Sequence, residues 1–313
     1  MTTGTDVVTT AEPEVTGRRG RPRLSEGARA ERRLGWLLCS PAVIVMLAVA
    51  AFPIIYAVWL SLQRYDLRFP QLAHFVGLSN YGAVLSSSYW WHALIVTLII
   101  TVVSVAVEFV LGMMLALLMY RTIFARGTIR TIILIPYGIV TVAAAYGWQY
   151  AWTPHIGYLV GGNSAPLTSQ GSAIAIIILA EIWKTTPFMA LLLMAGLSLV
   201  PEDVLQAARV DGATAWQRFY RVTLPLMKPA ILVALLFRTL DAFRIFDNIY
   251  ILTNGGNGTY SVSILGYDNL FRALNLGIGS AISILIFICV AIIAFIFIRL
   301  FGAAVPGSTT GGR

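Results

Sequence analysis

Residues 200–229 read VPEDVLQAARVDGATAWQRFYRVTLPLMKP. Pro201 suits a first helical position, where its missing N–H costs nothing, and Glu202 and Asp203 complement the positive end of the helix dipole. Leu205 and Ala208 carry that helix on, and Gly212 is placed to end it because glycine adopts positive φ freely. Thr214 followed three residues later by Gln217 spells a capping box that opens a second helix. Along it, Trp216, Phe219 and Tyr220 share one face at i, i+3 and i+4. Pro225 is expected to break this helix before the next apolar run. The stretch therefore predicts a short polar helix-turn-helix set between two apolar segments.

On both sides of this stretch, apolar segments fall at 34–62, 91–120, 131–152, 172–199, 230–251 and 277–301. Each approaches the roughly 20 residues that a helix needs to cross a bilayer. The 313-residue chain is 58% hydrophobic and only 12% charged, with mean hydropathy +0.79. Soluble domains carry about 25% charged residues, so too little charge is present here to cover a water-facing surface. The expected fold is all-α, a six-span membrane protein with a helix-turn-helix between spans four and five. Six spans leave no room for a separate ATPase or ligand-binding domain.

Charge placement gives the orientation. Sixteen Lys and Arg residues fall on the two tails and on the loops after spans two and four, against three, Arg64, Arg68 and Arg272, on the other loops. Basic residues are retained on the cytoplasmic side, so both termini and the helix-turn-helix are expected there, in a multi-pass protein of the cell membrane. The same bias accounts for the net charge of +8 without any nucleic-acid partner. Residues 1–33 form a polar, Arg-rich tail expected to be disordered, and 303–313 a second cytoplasmic tail. No apolar stretch starts near Met1, so no cleavable signal peptide is expected. Cys39 and Cys289 lie in apolar runs, and His74, His92 and His155 are scattered, a pattern that suits neither a metal nor a disulfide framework. The aromatics at Trp90, Trp91, Trp148, Tyr150 and Trp152 read as an interfacial belt.

Charges within the spans are candidates for function. Span five holds Arg238, Asp241, Arg244 and Asp247. At roughly 3 kcal/mol per charge, these outweigh the apolar gain of the whole segment. At 100° per residue, Arg238, Asp241, Arg244 and Asn248 fall within an arc of about 120°, with Asp247 about 60° beyond. One polar stripe results. Either Arg238–Asp241 and Arg244–Asn248 pair along the helix and hold the span to its neighbours, or the stripe lines a translocation pathway and offers hydroxyl-binding groups. Glu181 and Lys184, at i,i+3, read as a structural pair. Glu108 stands alone in its span and is expected to find its partner on another subunit.

The 200–229 pattern is also specific to a family. Gln206-Ala207-Ala208, three residues, Gly212, nine residues, then Val222-Thr223-Leu224-Pro225 resembles the coupling loop in permease subunits of binding-protein-dependent ABC importers. Gln206 replaces the family's leading Glu, so any salt bridge the family makes from that position is not expected here, though the docking is. Phe75–Tyr81, FVGLSNY, and Glu181–Phe188, EIWKTTPF, are similar to the maltose-importer-type sugar branch. Within that branch the likeness is to trehalose importers, which implies trehalose as cargo. The resemblance spans about 34–302, the expected permease domain. It implies a second homologous permease, two copies of an ATP-binding-cassette ATPase and an extracytoplasmic sugar-binding protein as partners. The coupling contact would be made by Gln206, Ala207, Ala208, Asp211, Gly212, Trp216, Phe219, Leu224 and Pro225.

No catalytic residue is expected on this chain. A phosphate-binding loop needs a Gly-rich turn before Lys-Ser/Thr, and the one Lys-Thr pair, Lys184-Thr185, sits in a span with no preceding Gly. ATP and Mg would belong to the partner ATPase, and no cofactor or metal to this chain. The rival function is a proton-coupled secondary transporter using Glu108, Asp241 or Asp247. Six spans without an evident inverted repeat speak against it. An intramembrane protease would need paired catalytic groups, which the scattered histidines and the two aspartates of one span do not supply.

Overall fold

The computed structural model describes residues 26–121, 126–161 and 164–302. The expected C-terminal tail, and residues 1–25 of the N-terminal one, lie outside them. The chain divides into two units, residues 1–54 and 55–313. In the first, helix α1 (Glu26–Met46) begins within the stretch expected as tail and runs through Pro41. A π turn, Leu47–Ala51, follows it, and α2 (Phe52–Ser61) spans the boundary at Ile54.

The second unit is built on two long helices, α4 (Ser88–Arg121) and α7 (Gln170–Ser198). Gly112 lets them close: a Cβ there would lie 2.7 Å from Met189 Cγ. Small residues at such a crossing are how apolar helices gain contact where lipid offers no hydrophobic drive. Val105, Met113 and Ala116 of α4 meet Met189, Leu193 and Leu197 of α7 in one core cluster, joined by Ala234 of α11 (Lys228–Ala242). On their other sides the long helices are apolar and open, as at Val102 of α4, and so is Phe295 of α14 (Leu276–Gly302). This is the surface a bilayer would cover.

Four helical runs among the described residues are long and apolar enough to cross a membrane: Arg33–Ser61, Ser88–Tyr120, Gln170–Ser198 and Leu276–Arg299. The segment expected as a straight third span is instead two helices, α5 (Arg126–Gly138) and α6 (Thr141–Ala151), bent by 82°. Pro136 and Gly138 sit at the break, where a missing N–H and a residue without Cβ weaken the last turn. Counted as one span, the pair makes five. The expected span at 230–251 does not qualify. It stops at Ala242 and resumes as α12 (Asp247–Leu252), and its charges lower its hydropathy.

The stretch between α2 and α4 departs from the all-helical expectation. Two short strands, β1 (Gln63–Arg64) and β2 (His74–Phe75), pair antiparallel, followed by α3 (Ser79–Ser86). Asp66 forms an isolated bridge with Asn275. Leu67 N–H donates to Leu274 O at 2.9 Å, and Gly277 N–H to Tyr65 O at 3.1 Å. Asn80 Nδ2 donates to both Ser61 O and Gln63 O at 2.8 Å. Gly277 is required here because any Cβ would collide with Gln63 O. The loop is thereby fastened by backbone to the start of α14.

Candidate functional site: a polar cavity beside a buried charge cluster

The two helix breaks open onto one cavity of 570 Å³. Ile139, Val140 and Thr141 come from the α5–α6 break, and Arg244, Ile245, Phe246 and Asp247 from the α11–α12 break; α7 contributes Glu181, Lys184 and Thr185. Irregular backbone at membrane depth is tolerated where it lines such a cavity, because water or neighbouring groups can satisfy the freed carbonyls. One of them is held directly: Lys184 Nζ donates to Ile139 O at 2.6 Å. The same ammonium lies 5.9 Å from the Tyr137 ring centroid, and Tyr137 stacks on Phe188 at 5.2 Å. Lys184 thus braces the bend and does not form the expected pair with Glu181.

Behind the cavity wall, Arg238 is completely buried. Its Nε donates to Glu108 Oε2 at 2.5 Å. Nη2 reaches Glu108 Oε1 at 2.9 Å and Glu181 Oε1 at 2.6 Å, and Nη1 reaches Asp241 Oδ2 at 2.9 Å. Thr185 Oγ1 donates to Glu108 Oε1 at 2.8 Å, and Asn248 Nδ2 to Glu181 Oε2 at 2.5 Å. Every oxygen of the two buried carboxylates has a donor. That completeness matters because an unpaired charge out of water costs several kcal/mol. Glu108 finds its partner within the chain, correcting the expectation of another subunit. Its two oxygens are both committed, which leaves it poorly suited to carry protons.

The stripe drawn on one continuous helix does not survive the break at Phe243–Phe246. Asp241, Arg244, Asp247 and Asn248 do line the same cavity, whereas Arg238 sits behind it. The expected Arg238–Asp241 pair forms. The expected Arg244–Asn248 pair does not, since the helix is interrupted between them and Asn248 turns to Glu181. With the Asp241 side chain 62% exposed and Arg244 open beside it, the cavity offers carboxylate, guanidinium and amide groups. Tyr137 and Phe246 add flat apolar faces. Such a lining suits a solute rich in hydroxyls.

The 200–229 stretch forms α8 (Glu202–Val210) and α9 (Ala215–Arg218). Gly212 has φ +77°, and Ala213 N–H reaches back to Ala208 O at 3.0 Å, the six-residue closure of a glycine-capped helix. The capping box forms in both directions: Gln217 N–H to Thr214 Oγ1 at 3.3 Å, and Thr214 N–H to Gln217 Oε1 at 2.8 Å. Gln206, Ala207, Asp211 and Gly212 are exposed. Trp216, 68% exposed, touches Tyr220 at 4.5 Å and Phe219 at 6.4 Å between ring centroids. Phe219 and Leu224 pack against the core cluster instead. Pro225 does not break the helix as expected. The chain widens into a π turn over Phe219–Thr223, and Pro225 falls in the first turn of α10 (Leu224–Leu226), where no N–H is needed.

Residues 108–306 match the family described as "Binding-protein-dependent transport system inner membrane component". The chain belongs to this permease family. The trehalose transport system permease protein SugA of Mycobacterium tuberculosis is 64% identical over 287 residues, covering 91% of this chain and 94% of that protein. The trehalose/maltose transport system permease protein MalF of Thermococcus litoralis is 41% identical over 279 residues, covering 86% and 94%. A crystal structure of a bacterial ABC transporter that imports the acidic polysaccharide alginate superposes with TM-score 0.75 at 22% identity, covering 90% of the permease and all of the matched chain. It shares the fold. Sequence reasoning missed Tyr137, Ile139 and Thr185 as cavity groups. Only the unmatched charges, Glu108 in one span and Arg238 in another, signalled the cluster.

Proposed function

We propose that this permease is one of two homologous membrane subunits of an ATP-driven trehalose importer. The observation that carries the reading is the 64% identity, across 91% of the chain, to a trehalose permease. The hydroxyl-binding character of the cavity supports it. Asp241, Arg244, Asp247 and Asn248 form this chain's share of the pathway wall, while Arg238 positions Asp241 from behind. The broken α11–α12 segment serves as a sixth span, its charges turned to the cavity and to Arg238. Both termini face the cytoplasm, in keeping with the sixteen-to-three distribution of Lys and Arg.

The α8–α9 hairpin docks in a groove on an ATP-binding-cassette ATPase, one of two copies. Ala207 and Ala208 permit close approach, and Trp216 forms an aromatic anchor. ATP and Mg are bound there and not on this chain. A sugar-binding protein delivers trehalose from outside. Co-expression with the candidate partners tests the assignment: purification through a tag on this chain should yield an ATPase and a second permease, with hydrolysis stimulated by the trehalose-loaded binding protein. Ala207→Arg should abolish uptake while leaving membrane insertion intact. Normal uptake by that variant would overturn the coupling contact, and absence of any ATPase from the purified complex would overturn the importer.

A further inference from the structure

Four aromatic rings lead away from the cavity: Phe246, Tyr250 and Tyr267 meet one another in a triangle, with Phe246 and Tyr267 5.1 Å apart, and Phe271 extends from it. Phe246, on the cavity wall, stacks on Tyr250 with centroids 5.2 Å apart and planes 21° from parallel. Tyr250 meets Tyr267 at 5.4 Å, and Tyr267 meets Phe271 at 5.0 Å. Tyr267 closes α13 (Val262–Tyr267), and a π turn, Asp268–Arg272, directly follows. The widened turn sets Phe271 outward, 65% exposed.

Polar groups accompany the rings along the way. The Arg272 guanidinium lies 5.6 Å from the Tyr250 centroid and 5.8 Å from that of Tyr267. It also donates to Asn254 Oδ1 at 2.7 Å and stands 3.1 Å from Asp268 Oδ1. The last ring, Phe271, is exposed, and a cation, an amide and a carboxylate stand beside the ring cluster. Flat apolar faces interleaved with hydroxyl partners are what a pyranose needs, since it presents C–H bonds on its faces and hydroxyls on its rim.

We propose that Phe246, Tyr250, Tyr267 and Phe271 form a carbohydrate track that hands sugar rings from the outer surface to the cavity. The inference rests on the importer reading, which places residues 253–276 outside. Phe271 is the receiving end. Its exposed face takes the first ring, with Arg272 and Asn254 holding hydroxyls, and Phe246 releases it among Asp241, Arg244 and Asp247.

The test uses the assembled transporter in proteoliposomes, with binding protein inside the assay and radiolabelled trehalose below saturation. Phe271→Leu keeps apolar bulk and loses the flat face; Phe271→Tyr keeps the face. Loss of one stacking contact should lower initial uptake by Phe271→Leu about threefold to tenfold, with Phe271→Tyr within about twofold of wild type and both complexes purifying intact. Uptake by Phe271→Leu equal to wild type would overturn the track, since packing alone would then explain the ring. Loss of a subunit from the Phe271→Leu complex would overturn it too, placing Phe271 in a subunit interface. Failure of the wild-type complex to import trehalose would instead bring down the importer reading from which the track follows.

Discussion

The cluster around Arg238 and the α8–α9 hairpin both satisfy polar groups at places where the chain turns or breaks, and they do so by opposite means. At Arg238, water has no access, and the guanidinium is met by carboxylates on three helices, α4, α7 and its own α11. In the hairpin, water reaches nearly everything, and the partners are backbone groups three to five residues away. Losing a partner in the second setting exposes a donor that water can rescue. Losing one in the first strands a charge. The depth of burial, more than the number of contacts, sets what each region can lose.

The most damaging change should therefore be Arg238→Leu, which leaves Glu108 and Glu181 buried without their cation at a cost of about 3–5 kcal/mol. Thermal unfolding of the detergent-solubilised protein would show it as a marked fall in midpoint. Converting all three residues to Leu should recover most of the loss, because an apolar replacement of a buried ion set is often neutral. A triple variant as unstable as the single one would break the comparison. In the hairpin, Gly212→Val forces a β-branched residue to positive φ, which should cost roughly 1–2 kcal/mol, seen as faster proteolysis between α8 and α9 with the midpoint of the spans unmoved. Thr214→Ala removes one half of the capping box and should cost about 1 kcal/mol, by the same assay.

The smallest effect lies at the exposed pair Asp66–Arg68, where Arg68 donates to Asp66 through both side chain and backbone. Those bonds lower the Asp66 carboxyl from its ordinary 3.8 to about 2. A depressed carboxyl stabilises the folded loop above its unfolded value and loses that contribution as pH falls from 3.8 through 2. An isotope-edited titration of Asp66 should show this midpoint, and Arg68→Ala should return it towards 3.8. Arg68 is exposed and Asp66 partly so, which keeps the associated stability small, so a large change in thermal midpoint in Arg68→Ala would contradict the contrast drawn with Arg238.

The same contrast explains what could be read from the residues alone. Gly212, Thr214 and Gln217 act over a few positions, so the hairpin and its caps were legible as spacing. Glu108 and Arg238 lie 130 positions apart, and Arg238 and Glu181 57 apart. Unpaired charges in apolar segments announced that partners were needed without saying which. The helix breaks were misjudged for a related reason. Running a 3.6-residue period through Phe243–Phe246 assumes a continuous helix, and taking 131–152 as one span passes over Pro136 and Gly138. Both breaks depend on tertiary support, such as the Lys184 bond to Ile139 O, that no local window contains.

The fastening of the 63–77 stretch to α14 has a mechanical meaning. A loop held by side chains yields to a push by changing rotamers on a nanosecond scale. Here the tether is main chain to main chain, Leu67 to Leu274 and Tyr65 to Gly277, with Gly277 leaving no clearance for slack. A load applied at the exposed rings of Phe69 or Phe75 is therefore delivered to the first turn of α14 with little loss of stroke, as through a stiff lever clamped at one end.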